Sequence, residues 1–482
     1  MRRTRSTFVT ISLLALMFQF LFVLPPLPTH AQANDLAIVA TGLTNPRGFT
    51  WSYDGRLVIA EAGSGGTTEG TGEATVPPPA GPYTGGTTAS VVAIDNNCPV
   101  LLAGQLPSAQ SAAGEVVGVA DVAYLGEKLY ALISGGGDAH GNPDQPTGLY
   151  SIGTAGEVDL VVDLGDWLRN NPVASTPDID FDPEGSFYSM VANPDASALW
   201  VVESNSEQVL SISAEGKVTR LVDLSNTNQV PTAITPAPGG GLYVGFLTSA
   251  PFPEGEATVI NVGPDGSWKT VWSGLTTITG LATGPDGTLY ASQLSTTRIR
   301  PPFLQPATGS VVRQTGERTS EVVANGLNFP VAIDFGPDGA LYVSAPAIGA
   351  NDGTGSIIRF TPGAQPIEIN EDSLPKPACG DGTAGATNAG TNTNDAPTEV
   401  IVRIFDFGFD KSDMTVPVGT TIMWVNTGAV QHTTVALVDG ERYWDSGIME
   451  PGATFSFTFD EPGTWEYVCG LHPDMNGTVT VE

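Results

Sequence analysis

The sequence predicts an all-β protein of two parts, a large ring of repeated sheets followed by a small β-sandwich. Three observations support this prediction. The 58 glycines and 38 prolines among 482 residues, with very few stretches of helical period, indicate a chain rich in turns. Short apolar strands recur six times before residue 363. Residues 398–482 alternate apolar and polar side chains with period two, a pattern that buries one face of each strand.

The N-terminus has the form of an export signal. Three arginines within the first five residues precede an apolar run at residues 8–24, and Ala31-Gln-Ala33 then has the form of a small-residue cleavage site. We therefore expect a signal peptide at residues 1–33 and a secreted or periplasmic protein. An uncleaved anchor is the alternative, although this run is at the short end for a spanning helix. No later segment is long and apolar enough for a membrane span, so none is expected after signal cleavage.

The charge of the chain limits its partners. Asp and Glu number 51 against 19 Lys and Arg, which gives a formal net charge of -32. A surface this acidic repels the phosphate backbone of nucleic acids and anionic lipid, whereas it favours solubility and cationic partners. Nucleic acid is therefore not expected as a partner.

Residues 34–363 contain three repeated signals, and each signal occurs six times. The first is a turn followed by a short apolar strand, as in Asp286-Gly-Thr-Leu-Tyr290. The second is a strand such as Val209-Leu-Ser-Ile212, and the third is an apolar run that ends at a leucine. Starts of the third signal lie 50 to 62 residues apart. Short antiparallel strands in a repeat of this size are typical of propeller blades, so the counts predict a six-bladed β-propeller.

The third signal also predicts how the ring closes. It is missing after Phe360 and present before the first blade, in residues 38–43. We therefore expect this N-terminal strand to complete the last blade. A stacked solenoid is the alternative, but its open ends would need caps, and no cap-like segment is present in the sequence.

Three irregular segments interrupt the strand pattern. Residues 63–86 and 134–148 are Gly-, Pro- and Thr-rich insertions, which we expect to be mobile and to gather at one mouth of the propeller. Residues 364–397 contain a polar low-complexity run and are predicted to be a flexible linker. The C-terminal module would then be tethered at high local concentration without a fixed pose.

The most informative motif is the loop Cys469-Gly-Leu-His-Pro-Asp-Met475, which lies 37 residues after His432. It places a thiolate, an imidazole and a thioether within seven residues, and His432 supplies a second imidazole. This soft ligand set is suited to copper that cycles between Cu(I) and Cu(II). Zinc is the alternative, but a structural zinc site uses four Cys or His ligands, which this chain does not supply here.

The surrounding residues carry a family resemblance. Met414-Thr-Val-Pro-Val-Gly419, the His432 position and the Cys-x-x-His-x-x-Met loop together resemble cupredoxins, and most of all the amicyanin and plastocyanin type of small blue copper protein. The resemblance covers residues 398–482. It implies a cupredoxin Greek-key β-sandwich that holds one type I copper ion.

The same resemblance assigns the ligands. His432, Cys469 and His472 are expected as the strong equatorial ligands, and Met475 as the weak axial ligand that helps to set the reduction potential. One position departs from the family pattern. In several cupredoxins an Asn follows the first His ligand and supports the thiolate loop, whereas Thr433 occupies that place here.

Two cysteines remain once copper takes Cys469. In an oxidising compartment Cys98 and Cys379 could form a disulfide between the start of the propeller and the segment after it. Two unpaired thiols are the alternative, and the sequence gives no distance between them.

The propeller resembles a second family. Gly42-Leu-Thr-Asn-Pro-Arg-Gly-Phe49 and Asp178-Ile-Asp-Phe-Asp-Pro-Glu-Gly-Ser-Phe-Tyr188 are similar to the secreted ScyD/ScyE type of propeller, named for scytonemin biosynthesis. The similarity spans most of residues 35–363. It implies architecture more than chemistry.

Two enzyme activities are alternatives for the propeller. Gly42-Leu-Thr-Asn-Pro-Arg47 also resembles soluble quinone-dependent sugar dehydrogenases, in which His140 would be the candidate base. A single histidine without a placed partner is more often an ordinary loop residue, and the clustered cations that a tricarboxylate quinone needs are missing. A lactonase-like hydrolase would need oxygen ligands for a metal, although acidic residues at blade edges more often cap turns. The candidate ligands are Glu61, Asp180, Glu203 and Asn205.

The sequence therefore predicts an exported copper-binding electron carrier, with a propeller that binds a ligand or a partner. The redox partner is expected to be a protein or a small-molecule reductant. If the propeller is instead an enzyme, an oxidoreductase that passes electrons to the copper domain is the leading alternative.

Overall fold

The structure is a computed structural model of the 482-residue chain. It describes residues 36–71, 81–112, 114–154, 156–175, 181–227, 229–297, 304–377, 399–405, 408–409, 413–426, 430–438, 441–450, 453–472 and 475–482. Strands dominate these residues, and no helix among them has the length and apolarity needed to cross a membrane.

The first two sheets follow directly on the N-terminal strand. Their elements are β1 (Ala37–Leu43), β2 (Pro46–Trp51), β3 (Leu57–Glu61), β4 (Thr68–Glu69), β5 (Tyr83–Asp95), β6 (Cys98–Ser111), β7 (Val116–Val117), β8 (Val119–Leu125), β9 (Lys128–Ile133), β10 (Gly148–Ile152), β11 (Val158–Asp163) and the helix α1 (Leu164–Asn170). Strands β2, β3, β5 and β6 form blade 1, with β4 and β7 at its margins. Strands β8 to β11 form blade 2, and α1 leads out of it.

The next four sheets repeat the same four-stranded antiparallel order. Their strands are β12 (Phe187–Ala192), β13 (Ala198–Glu203), β14 (Gln208–Ser213), β15 (Val218–Asp223), β16 (Gln229–Pro236), β17 (Leu242–Thr248), β18 (Ala257–Val262), β19 (Trp268–Leu275), β20 (Ile278–Thr283), β21 (Leu289–Gln293), β22 (Gly309–Gly316), β23 (Thr319–Leu327), β24 (Ile333–Phe335), β25 (Leu341–Ser344) and β26 (Gly355–Phe360). Blades 3, 4 and 5 take four strands each in chain order. Blade 6 contains β24, β25 and β26.

The predicted turns form because their residues supply the required backbone and caps. In the β20–β21 hairpin, Gly287 adopts a φ of 81°, a region that favours glycine. The Asp286 side chain accepts the Thr288 N–H at 3.0 Å, which closes the turn. The same pattern recurs in the β24–β25 hairpin, where Asp338 accepts the Ala340 N–H and Gly339 has a φ of 76°.

Apolar packing between blades makes the six sheets one ring. Six clusters of buried residues each join two neighbouring blades, and one of them joins blade 6 to blade 1. Hydroxyl groups add polar links between neighbours, as Ser204 donates to the Pro231 carbonyl and Thr232 donates to the Ile278 carbonyl. This arrangement of six sheets is compatible with the predicted six-bladed β-propeller.

The N-terminal strand closes the ring, as predicted. β1 pairs antiparallel with β26, and Ile38 lies opposite Ile358. It becomes the outer strand of blade 6, so strands from both ends of the propeller share one sheet. This pairing leaves the last blade with a complete outer edge.

The start of the expected linker is ordered in contact with the propeller. β27 (Ile367–Glu368) pairs parallel with β23 of blade 5, and Ile369 is 4% exposed. Burial of apolar side chains accounts for this docking, because Ile367 and Ile369 pack into the cluster between blades 5 and 6. Residues 364–377 thus differ from the prediction of a flexible segment, and residues 378–397 lie outside the described residues.

The insertion at residues 134–148 is also packed rather than loose. Its residues 138–140 form a 3₁₀ turn, and Ala139 and His140 are buried against blade 1. The expectation of a mobile loop was wrong here because polar groups inside the insertion bond to the surrounding backbone. The Asn142 amide, for example, donates to the carbonyls of Ser108 and Gly135.

Only one of the two cysteines of the predicted disulfide is among the described residues. Cys98 begins β6 of blade 1, whereas Cys379 lies outside the described residues. The pairing therefore stays a prediction.

The C-terminal module is a sandwich of two sheets. Its strands are β28 (Glu399–Phe405), β29 (Gly408–Phe409), β30 (Asp413–Val416), β31 (Thr420–Asn426), β32 (Val435–Val438), β33 (Glu441–Asp445), β34 (Thr454–Phe459), β35 (Gly463–Val468) and β36 (Asn476–Val481). One sheet has the order β29-β28-β31-β34, and the other has the order β30-β36-β35-β32-β33. Trp424, Trp444 and Tyr467 are buried between them, as period-two alternation predicts.

Candidate metal centre

Two loops at one end of the sandwich carry the predicted ligands. His432 follows β31 and is held by an antiparallel bridge in which its N–H and carbonyl bond to Met449. Cys469 directly follows β35 and Met475 directly precedes β36, so the ligand loop joins two paired strands. Within this loop the Cys469 N–H donates to the Met475 carbonyl, and the His472 N–H donates to the Cys469 carbonyl. Tight main-chain bonding therefore fixes where the loop side chains point.

Three donor atoms converge between these loops. The Cys469 Sγ lies 3.7 Å from His432 Nδ1 and 3.5 Å from His472 Nδ1. The two Nδ1 atoms are 3.2 Å apart, and all three atoms lie within 4.8 Å of one another. Residues that are 37 positions apart in sequence thus meet at one point, with the same ring nitrogen of both histidines turned inward.

Burial differs among the four predicted ligands. His432, Cys469 and Met475 are no more than 2% exposed, whereas His472 is only half-buried. Leu471, next to His472, is 45% exposed. Three of the four predicted ligands are therefore shielded from solvent, and His472 is the one that lies nearest to it. Met475 packs in the same core cluster as Cys469, so the fourth predicted ligand lies on this side of the core.

Thr433 performs a supporting role at the position where the family pattern has Asn. Its main-chain N–H donates to the Cys469 Sγ at 3.3 Å. Its hydroxyl accepts the Gly470 N–H at 2.6 Å and so ties the His432 loop to the ligand loop. The sequence identified this position but gave no indication of these contacts.

The donor set fits copper. One thiolate, two imidazoles and a nearby thioether are soft or borderline ligands, and they match Cu(I) and Cu(II) better than hard cations. The group of three contains no carboxylate, which Mg²⁺ or Ca²⁺ would require. A thiolate and two histidines in a buried pocket at the end of a two-sheet sandwich define the cupredoxin class.

Comparison with known proteins agrees with this class. Residues 397–482 match the family model of copper binding proteins of the plastocyanin/azurin family. The chain is 36% identical over 85 residues to amicyanin from Paracoccus denitrificans, a match that covers 17% of this chain and 65% of the relative. It is 32% identical over 102 residues to amicyanin-alpha from Methylorubrum extorquens, with coverage of 20% and 83%. It is also 32% identical over 87 residues to plastocyanin from Scenedesmus fuscus, with coverage of 15% and 86%.

Solved structures give matches to the same segment. An oxidized amicyanin mutant is 29% identical and a reduced-state amicyanin mutant is 33% identical. Each match covers 17% of this chain and 81% of the other chain, with a TM-score of 0.17.

The chain belongs to the plastocyanin/azurin family of copper-binding proteins. The matched segment is the C-terminal sandwich, and the chain spans just under two thirds of the first relative named above. One type I copper is the cofactor that this family binds, and the donor set of the C-terminal domain fits it.

The propeller histidine is part of a buried charge network. His140 is 1% exposed, and its Nε2 lies 3.1 Å from the Asp182 carboxylate while its Nδ1 lies 2.8 Å from the Gly136 carbonyl. Both facing groups are acceptors, which favours the protonated form of the ring. Burial by itself lowers the pKa of His140, but the facing Asp182 and Glu184 carboxylates and the Gly136 carbonyl raise it above the usual value. A buried imidazolium of this kind offers no lone pair to a substrate.

Two of the predicted oxygen ligands of the propeller, Glu61 and Glu203, accept hydrogen bonds from protein groups. The Glu203 carboxylate accepts main-chain N–H groups from Ser186, Asn205 and Ser206. The Glu61 carboxylate accepts the Thr44 N–H and the Ser90 hydroxyl. Both side chains therefore cap loops at blade ends, and Asp180 lies outside the described residues.

The sequence did not reveal a central channel with two carboxylates. A cavity of about 400 Å³ is lined by residues from all six inner strands, β2, β8, β12, β16, β20 and β24. Burial raises the pKa of Asp121 to about 7, and Asp334 also lines this channel, with its side chain open to solvent. Asp121 also accepts the Met190 N–H, which links blade 2 to blade 3.

Proposed function

We propose that this protein is an exported electron carrier, in which His432, Cys469, His472 and Met475 hold one type I copper and the propeller binds a ligand or a partner. The observation that supports the site is the convergence of the Cys469 Sγ and two histidine Nδ1 atoms within 4.8 Å. Copper held by these side chains would take up and release one electron by cycling between Cu(II) and Cu(I).

The protein's own residues prepare this site. Thr433 donates its main-chain N–H to the Cys469 sulfur and accepts the Gly470 N–H, which holds the ligand loop beside His432. Burial of His432 and Cys469 keeps water away from the donor atoms. His472, half-buried beside the exposed Leu471, is the ligand nearest to solvent and is proposed as the route by which a redox partner exchanges electrons.

Export is proposed from the N-terminal sequence. The arginines, the apolar run at residues 8–24 and Ala31-Gln-Ala33 fit a signal peptide at residues 1–33. The oxidising space outside the cytoplasm also suits a soluble blue copper protein, and the acidic surface favours a cationic redox partner.

For the propeller, a binding role is favoured over catalysis. A sugar dehydrogenase would need His140 as a base, but both nitrogens of that buried ring face protein groups, the Asp182 carboxylate and the Gly136 carbonyl. A lactonase-like metal site would need free carboxylate oxygens, whereas Glu61 and Glu203 already accept several protein donors. The boundaries proposed for the two parts are residues 34–363 and 398–482.

The test of the copper site is the substitution Cys469→Ser. Copper-loaded protein should be blue because of thiolate-to-copper charge transfer, and the variant should lose the blue absorption because a hydroxyl is a far poorer donor. Thr464→Ser on β35 serves as a control, since its exposed side chain lies on the same strand away from the ligand atoms. A Cys469→Ser variant with an unchanged blue spectrum would show that the assignment is wrong.

A further inference from the structure

Arg47 of the propeller is a buried cation without a counter-ion. It is 7% exposed and makes one hydrogen bond, from Nη2 to the Val116 carbonyl. No carboxylate of the described residues lies within ion-pair distance of it, although the chain has 51 acidic residues. Burial of an unpaired charge is costly. An anion that is not part of the described chain would compensate the charge of Arg47.

Other arginines of the propeller show that this is not the general pattern. Four of them form ion pairs with carboxylates, and all four are more exposed than Arg47. The pairs are Arg56 with Asp54, Arg169 with Glu184, Arg313 with Glu321 and Arg359 with Asp338. These four cations are neutralised by the protein, whereas Arg47 is left facing a cleft.

The cleft beside Arg47 is rich in hydrogen-bond donors. It has a volume of about 30 Å³, room for a small polar group, and Ser134, Ser186 and Tyr188 line it with Arg47. The Ser134 oxygen accepts the Phe187 N–H, which leaves its own O–H free to donate. The hydroxyls of Ser186 and Tyr188 bond to no protein group among the described residues. One guanidinium and three hydroxyl-bearing side chains therefore line one space.

The rest of the lining is apolar, with one acid at the rim. Val116, Ala120 and Phe187 form walls, and the Tyr188 ring separates the cleft from the central channel because it lines both. Glu115 also lines the cleft, but its side chain is exposed to solvent and forms no ion pair with Arg47. The cleft thus combines a cation and hydroxyl donors with apolar walls, and its one acid is exposed to solvent.

We propose that this cleft binds the carboxylate group of a small apolar acid, such as an aryl carboxylate. One guanidinium supplies one positive charge and a planar pair of N–H donors, which match a monovalent carboxylate. A phosphate dianion would bring a second negative charge into a chain of net charge -32. The inference rests on the proposed binding role of the propeller and names the ligand class.

Calorimetric titration of the full-length, copper-loaded protein with benzoate tests the proposal, with benzamide as the neutral isostere. Benzoate should bind, and benzamide should bind at least about tenfold more weakly, because charge-assisted hydrogen bonds to Arg47 are lost. Arg47→Gln should weaken benzoate binding by a similar factor. Arg56→Gln, which removes an exposed arginine of the same blade, should leave benzoate affinity unchanged.

Two further variants decide the outcome if Arg47→Gln does not fold. Ser186→Ala should weaken benzoate binding roughly two- to tenfold, because it removes one donor from the cleft. Glu115→Gln should strengthen benzoate binding, because it removes a negative charge from the rim. The blue absorption recorded on the same samples reports the copper site separately. A failure of the proposed copper site can therefore be distinguished from a failure of benzoate to bind in the cleft.

Three results would overturn the proposal. They are equal affinity for benzoate and benzamide, unchanged benzoate affinity in all three cleft variants, and tighter binding of inorganic phosphate than of benzoate. The last result would assign the cleft to phosphate instead of carboxylate.

Discussion

Two histidine sites, one in the propeller and one in the sandwich, have opposite chemistry. His140 lies between acceptors, since the Asp182 carboxylate and the Gly136 carbonyl face its two nitrogens. His432 and His472 instead turn their Nδ1 atoms toward each other and toward the Cys469 sulfur. The first cluster is neutralised within the fold, whereas the second gathers donor atoms that a metal ion can share.

The comparison shows why the number of histidines is a poor guide to function. The positive and negative charges of the His140 network balance one another, because Arg169 also pairs with Glu184 beside it. Such a network stabilises the fold only while all of its members remain charged. The ligand cluster contains no carboxylate, and its geometry becomes favourable when a cation enters.

The largest expected effect tests whether the propeller is one closed ring. Deletion of residues 36–43 removes β1, which is the outer strand of blade 6, and exposes the edge of β26. We expect the cooperative unfolding transition of the propeller to be lost, while the blue spectrum of the sandwich is kept. Calorimetry and absorption on the same sample measure the two parts separately. An unchanged propeller transition would show that the ring closes without β1.

The next prediction sharpens the contrast between the histidine clusters. His140→Gln leaves Asp182 buried without its cation, so we expect a loss of about 3–5 kcal/mol in the free energy of unfolding at pH 6. The raised pKa of His140 means that its contribution is complete below about pH 6.5 and is lost as the pH rises through the folded-state pKa. The difference from wild type should therefore shrink at pH 9.

Denaturant unfolding at the two pH values provides the measurement, and Arg313→Gln is the control. Arg313 pairs with Glu321 at the surface, where an ion pair contributes no more than about 1 kcal/mol at either pH. A His140→Gln deficit that stays constant from pH 6 to pH 9 would mean that the ring is neutral in the folded protein.

The sequence was sufficient for features that repeat or that lie close together along the chain. Six turn-strand signals predicted six blades, and the missing strand after Phe360 predicted the closure by β1. The loop from Cys469 to Met475 carries three of the proposed ligands within seven residues, so its spacing alone indicated a soft metal site. Local signals of this kind do not depend on how distant elements pack.

Features that depend on packing between distant residues could not be predicted. The partner of His140 is Asp182, 42 residues later, and only the packing of blades 2 and 3 brings them together. The supporting role of Thr433 depends on a main-chain N–H, which every residue type except proline has. The docking of Ile369 on blade 5 likewise follows from a three-dimensional groove and not from a local motif.

A smaller effect is expected at the fourth proposed ligand. Met475→Leu should keep the blue colour, because the thiolate and the two imidazoles remain, and leucine fills a similar volume in the core. The reduction potential should rise, since a thioether stabilises Cu(II) more than Cu(I). Redox titration followed by absorption measures the change. Loss of the blue band in Met475→Leu would show that Met475 is needed to hold the metal rather than to tune it.

The smallest expected effect concerns the side of the sandwich through which electrons pass. Leu471 is 45% exposed next to the half-buried His472, so a charged residue there should hinder close approach of another molecule. Leu471→Glu should slow electron self-exchange between copies several-fold while it leaves the blue spectrum intact.

Val418→Glu is the matched control, because Val418 is 46% exposed and adjoins the Thr420 end of β31, opposite the end that leads to His432. Both variants add one negative charge, so the difference between them isolates the position of that charge from its effect on net charge. Line broadening in NMR spectra of partly reduced samples gives the exchange rates. Equal rates in the two variants would place the electron route elsewhere on the sandwich, whereas a slower rate in Leu471→Glu alone assigns it to the surface beside His472.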